Sequence, residues 1–257
     1  MILATYNAAG LRARLPVVLD WLAQNEPDVL AIQETKVEDD KFPTADFEEL
    51  GYHVVINGQK SWNGVALLAR GPISSVRKGF QDDLFPDDAR IIAGEVDGMW
   101  IINSYVPNGS SVGSEKFDYK MRWLERFRRY LSENYRTDQH VVWMGDINIA
   151  PTENDVYEPK RKWGKVGFHP DEIARLGKIT EWGLTDLFRL HTQGAGHYTY
   201  WDFVIPNAPD RNLGWRIDHI YGTSAVAEAC TRCWIDKAPR TGDRPSDHTY
   251  VLAELDL

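Results

Sequence analysis

The chain has 257 residues, 43% of them hydrophobic and 12% aromatic, which is enough for the core of one large α/β or sandwich domain over residues 1–257. Its formal charge of -9 argues against unspecific attraction to polyanions as a mode of action, although local patches and bound cations can reverse the field at a site. No apolar run is long enough to span a bilayer, and the N-terminal MILATYNAAGLRAR lacks a basic region followed by an apolar segment and a cleavage site. A cytoplasmic protein with no membrane partner is therefore expected.

Apolar runs predict strands over residues 2–6, 29–32, 65–69, 91–96, 100–104, 141–147, 216–221 and 249–255. Helices are expected over 16–25, with Pro16 at a permitted first-turn position, over 115–135 and over 171–182. The second helix places Phe117, Met121, Leu124, Phe127 and Leu131 on one stripe, whereas Arg122, Arg126 and Arg129 share a face expected to meet solvent. Helices are few, and strands 91–96 and 100–104 are joined only by Asp97-Gly98-Met99. The pattern favours mixed or antiparallel sheets packed face to face and flanked by helices. Cys230 and Cys233 are spaced C-x-x-C, but no second pair exists to complete a zinc site, so two reduced thiols at the end of a short helix are expected.

Polar residues gather where the strands end. In HVVWMGDIN, Asp146 and Asn148 are two positions apart and would share one face of a strand end, although Asp, Asn and Gly equally favour turns. Asn7 follows ILATY, Glu34 follows VLAIQ, and Tyr105 follows WIINS. Asp218 interrupts WRIDHIY, and Asp247-His248 opens the last strand. Each alone has an ordinary structural explanation; together they place charge where burial is costly unless it is paired or metal-bound. Oxygen ligands of this kind suit Mg²⁺ or Mn²⁺, and a histidine beside a carboxylate suits stabilisation of developing negative charge, so the pattern points to phosphate chemistry.

Nine segments, TYNAAGLRA, AIQETK, NGVALLAR, YVPNG, GDINIAPTENDV, WGLTDLFR, YTYWDF, GWRIDHIY and PSDH, resemble in that order the motifs of the exonuclease III family of AP endonucleases. The resemblance covers essentially the whole chain. It implies a four-layered α/β sandwich and a Mg²⁺-dependent phosphodiesterase acting on duplex DNA with abasic or damaged sites, with no obligate protein partner and a monomeric state. Carried over by motif, Glu34 resembles the principal metal carboxylate, with Asn7 and Asp247 beside it. Asp146 and Asn148 resemble the pair that positions or deprotonates water, His248 the phosphate-contacting histidine, Asp218 its brace and Tyr105 the phosphate-side tyrosine. Asn108 of YVPNG joins the substrate-binding set.

The same resemblance puts Tyr200, Trp201 and Trp215 around a pocket for a flipped-out abasic sugar, which an aromatic wall can admit while rejecting a normal nucleotide by size. Arg161 and Lys162, within the basic run 160–165, resemble a phosphate-gripping loop, although an ordinary solvated charge run reads the same way. The chain departs from the pattern at Ala9, where relatives carry Asn or Asp, and weaker metal binding is the expected consequence. Two rivals share the motifs: a phosphodiesterase or phosphatase for small phosphate esters, and a non-catalytic RNA-binding regulator resembling catabolite-repression proteins.

Overall fold

The computed structural model describes residues 1–82 and 88–257. Its first half contains β1 (Ile2–Asn7), α1 (Leu11–Asn25), β2 (Val29–Gln33), α2 (Thr44–Glu48), β3 (His53–Asn57), β4 (Val65–Ala69), β5 (Ser74–Lys78), β6 (Ile91–Val96) and β7 (Met99–Tyr105). There follow α3 (Glu115–Asn134), β8 (Val141–Asp146), α4 (Pro159–Lys162), α5 (Pro170–Thr180), β9 (Thr185–Asp186), α6 (Leu187–His191), β10 (Asp218–Gly222), α7 (Ser224–Ala229), β11 (Cys230–Asp236) and β12 (Tyr250–Leu255). One six-stranded sheet runs β11-β12-β1-β2-β4-β3 and the other β5-β6-β7-β8-β10-β9. Each is mixed, with a single parallel pair: β1 with β2, and β7 with β8.

Alternation along the strands builds the layers. Leu3, Val29, Ala31 and Leu67 of the first sheet meet Ile92, Ile101, Val142 and Met144 of the second between the sheets. The intervening residues Ala4, Leu30, Ile32 and Leu68 face Leu11, Val18, Leu22 and Phe47 of α1 and α2. On the far side, Ile102, Val141 and Trp143 face the apolar stripe of α3 and Leu176 and Ile179 of α5. The result is the four-layered sandwich, and it explains why the central strands read as unbroken apolar runs: both of their faces are covered.

Several expectations change. Helix α1 begins at Leu11, a turn early, because the Gly10 and Leu11 N–H groups donate to the carbonyls of Glu34 and Thr35 at 2.8 and 3.1 Å. Pro16 therefore lies inside the helix. Both cysteines are buried free thiols; Cys230 caps the C-terminal end of the short helix α7 as expected, whereas Cys233 lies within strand β11, which starts directly after α7. Arg126 is buried, not solvent-facing: it pairs with Asp82 and lies 4.2 Å from the Phe80 ring centroid. Among the described residues, no helix is long and apolar enough to cross a membrane.

Candidate active site

Strand register aligns the polar strand ends. Tyr105 of β7 is the partner of Asp146 of β8, which is in turn the partner of Asp218 of β10, so three chemical groups stand in a row across the strand ends of the second sheet. Gly145 is required there: its φ is +138°, and a Cβ would lie 2.1 Å from the Ser104 carbonyl oxygen of the neighbouring strand. The first sheet contributes Asn7 at the end of β1, Glu34 just after β2, and Asp247 and His248 just before β12. Asn7 joins the two sheets, its amide Nδ2 donating to Glu34 Oε1 at 2.9 Å and to Asp146 Oδ2 at 2.8 Å.

These groups open on a cleft of about 410 Å³, lined by Glu34, Tyr105, Asn108, Asp146, Asn148, Asp247 and His248 on its chemical side. Tyr157, Lys162, Gly167, Tyr200, Trp215 and Ile217 form the facing wall. Asp218 is fully buried behind His248, and both of its oxygens accept from Nδ1, at 3.0 and 2.8 Å. The other ring nitrogen, Nε2, faces Asp146 Oδ2 at 3.7 Å. Burial alone would pull the imidazole down, but Asp218 and then Asp146 outweigh it, and the His248 pKa is pushed up to about 10. Burial drives the Asp146 carboxyl well above the ordinary range; Asp218 and Glu34 add to that, and the His248 charge opposes it. The Tyr105 hydroxyl is pushed up by burial and by Glu34 and Asp146, so it stays a donor.

Asn148 sits in the left-handed region (φ 55°), a conformation Asn tolerates, and its N–H donates to Asp146 Oδ1 at 3.0 Å. Its Oδ1 accepts from Asn108 Nδ2 at 3.1 Å. On the wall, Tyr200 lies tilted against the His248 ring, centroids 4.9 Å apart. Lys162 holds its ammonium 4.4 Å from the Tyr157 ring centroid and 5.8 Å from that of Trp215.

The donor set suits a hard divalent cation. Glu34, Asp146 and Asp247 offer carboxylate oxygens to one cleft, and Lys36, which does not line the cleft, pairs its Nζ with Glu34 Oε2 at 2.9 Å. Burial raises the Glu34 carboxyl, but hydrogen bonds from Lys36 and Asn7 outweigh it and hold the group below its usual value. Asp146, Asp218 and His248 also bring ligand atoms within 4.8 Å of one another, yet His248 Nδ1 and Asp218 are spent on each other, which leaves the Glu34 side for a metal. Asn7 uses its Oδ1 to accept the Ala9 N–H at 2.9 Å, so its part is to tether the carboxylates.

Two expected contact residues lie elsewhere. Trp201 is buried and lines a separate cavity with Lys237 and Arg240, because its neighbour Tyr200 takes the face toward the cleft. Arg161 is exposed, pairs with Glu158 at 3.2 Å and does not line the cleft. Tyr157, Gly167 and Ile217 were not singled out from the sequence; Ile217 had a signal, since it stands two positions after Trp215 in an extended segment. Behind the wall, Arg216 donates to Asp155 at 2.7 Å and to Asp186 at 2.8 Å, and it lies 3.0 Å from His219 Nδ1. His219 Nε2 reaches the Ile149 carbonyl at 3.0 Å and so braces the segment after Asn148.

Two sheets whose strand ends pool carboxylates, a braced imidazole and amide side chains in one cleft define a phosphoester hydrolase. The model of the endonuclease/exonuclease/phosphatase family matches residues 4–248. The chain is 34% identical to exodeoxyribonuclease III of Haemophilus influenzae, with 98% of each chain covered. It superposes on an AP endonuclease from Archaeoglobus fulgidus with a TM-score of 0.95 and 39% identity, and on the 3′ phosphatase NExo from Neisseria bound to a product DNA hairpin with a TM-score of 0.96 and 37% identity. Both alignments cover 100% of each chain. The chain belongs to the endonuclease/exonuclease/phosphatase family.

Proposed function

We propose that the protein is a Mg²⁺-dependent DNA repair nuclease that hydrolyses the phosphodiester 5′ to an abasic site in duplex DNA and also processes 3′ ends. In this reading residues 1–257 work as one domain, as a monomer, in the cytoplasm, and Mn²⁺ substitutes for Mg²⁺. The observation that carries it is the convergence on one cleft of the Glu34, Asp146 and Asp247 carboxylates, an acid-braced histidine and the aromatic pair Tyr200 and Trp215. A base-free sugar fits against such a wall without the stacking partner that a nucleotide brings.

His248, held protonated by Asp218, donates from Nε2 to a non-bridging phosphate oxygen, and Tyr105 donates from the opposite side. Asn148 and Asn108 orient the attacking water, and Asp146 takes its proton; the P–O3′ bond breaks, and the departing O3′ takes up a proton from solvent to become the 3′-hydroxyl. Glu34, kept in place by Asn7, and Asp247 would hold Mg²⁺, which would supply polarisation of the phosphoryl oxygen and a lowered pKa for water. A binding-only regulator has no need of this complete set, and a small-ester hydrolase has none for the aromatic wall.

The test is duplex DNA carrying a tetrahydrofuran abasic mimic, incubated with Mg²⁺, with EDTA, and with His248→Ala protein. Incision abolished by both EDTA and the substitution supports the nuclease. Absence of incision with every divalent metal promotes the regulator, and activity confined to a small phosphate ester promotes the other rival.

A further inference from the structure

Lys120 is a lysine on the apolar stripe of α3, between Phe117 and Leu124, and it is 0% exposed. Its ammonium has three hydrogens and meets three acceptors: the Asn148 carbonyl at 2.8 Å, the Asn108 carbonyl at 3.2 Å and Glu172 Oε1 at 2.5 Å. Glu172, equally buried in the first turn of α5, uses its second oxygen to accept the N–H groups of Gly167 at 2.8 Å and His169 at 3.0 Å. Gly167 packs on the cleft wall, where a Cβ would lie 3.5 Å from the Trp215 ring. One ion pair thus ties together the loop after β7, the loop after β8 and the turn behind Trp215.

Burying an ammonium and a carboxylate is costly, and a well-packed apolar pair fills such a space as well or better for stability alone. What an apolar pair cannot do is grip the carbonyls of two residues that line the cleft. We propose that Lys120, with Glu172 as its counter-ion, is a positioning residue for hydrolysis. It fixes the backbone of Asn148 and Asn108, and so the angle at which their amides meet water and phosphate. The inference rests on the nuclease reading above.

The test compares wild type with Lys120→Met/Glu172→Gln. The Gln amide oxygen still accepts from Gly167 and His169, and no lone charge is left buried. With the abasic-mimic duplex and Mg²⁺, the double variant is expected to melt below wild type, since the Asn148 and Asn108 carbonyls lose a donor, yet to stay folded at the assay temperature and keep its KM, while kcat falls roughly 10²-fold, the cost of a small misplacement of reacting groups. Adding Asn148→Ala to the double variant should cost far less than adding it to wild type, because Lys120 acts through Asn148. Wild-type kcat in the folded double variant, or an Asn148→Ala penalty of full size in both backgrounds, overturns the proposal. If the double variant melts below the assay temperature, Lys120→Arg replaces it. That variant keeps the charge but moves the donors off the carbonyls; the same kcat loss at constant KM is expected, and unchanged kcat is the overturning result. Failure of wild type to incise refutes the nuclease reading instead, and so stays distinct.

Discussion

Replacing Asp218 by Asn removes one charge behind His248 and keeps the shape. Both Asp218 oxygens accept from His248 Nδ1, at 3.0 and 2.8 Å, and the pair is closed off from solvent. A hydrogen bond to a charged group contributes about 1.5–3 kcal/mol. At about 1.4 kcal/mol per tenfold in rate, its loss lowers kcat/KM by about 10- to 150-fold. Asp218 leads the groups that push the His248 pKa up to about 10 against burial. A raised histidine pKa means the proton is held at neutral pH and shed only as pH climbs through that value, so in Asp218→Asn the alkaline fall in kcat/KM moves to lower pH. The assay is incision of the abasic-mimic duplex with Mg²⁺ from pH 6 to 10, alongside thermal melts. A folded variant with the wild-type rate and the wild-type alkaline limb refutes the braced-imidazolium mechanism.

Ala9 has a φ of 47°, a left-handed conformation that suits Asn better than Ala, and its N–H donates to Oδ1 of the Asn7 tether. Ala9→Asn is expected to tighten Mg²⁺ or Mn²⁺ binding in a calorimetric titration by roughly tenfold or more; unchanged affinity removes Ala9 from the metal network. Acid should destabilise the fold in two windows. Burial, with Arg216 beside it, lowers the His219 pKa from 6.5 to about 4, so the unfolded chain binds a proton that the native one refuses, and up to about 3 kcal/mol is lost as pH falls from 6.5 through 4. Asp155, which burial raises but Arg216 holds down at about 2, adds a further loss from pH 3.8 to 2. Asp146, whose raised carboxyl takes up a proton in the fold over the same range, opposes the first loss, so the His219 contribution is read as the difference in urea midpoint between wild type and His219→Gln; a difference that stays constant between pH 6.5 and 4 contradicts this. Duplex binding should weaken steeply between 50 and 200 mM KCl, as about 0.9 counterions are released per phosphate contact, and Lys162→Ala should flatten the slope by about that amount. An unaltered slope takes Lys162 away from phosphate.

The parts of this molecule that depend on local pattern were legible. Central strands, sandwiched on both faces, announced themselves as apolar runs, and the polar residues that end them proved to lie together because neighbouring strands bring Tyr105, Asp146 and Asp218 into register. Strands β3 and β5 were missed because they are sheet edges: HVVIN is half-exposed and SSVRK mostly solvated, so neither carries a core run. Trp201 was misplaced although parity excluded it, since adjacent residues of an extended segment cannot both face one cleft. Lys120 carried its signal in plain view, a cation on the apolar stripe of α3, but its partner Glu172 is 52 residues away and only the packing of α3 against α5 brings them together.

The proposed chemistry requires this cleft to cut one particular bond. A duplex of defined sequence with a single tetrahydrofuran site, labelled at the 5′ end and digested under single-turnover conditions, reads it directly. With Mg²⁺ one product is expected, ending in a 3′-hydroxyl immediately 5′ to the tetrahydrofuran, formed far faster than any cut in the matched undamaged duplex and absent in EDTA. Equal cutting of both duplexes, or a product that forms in EDTA, contradicts it.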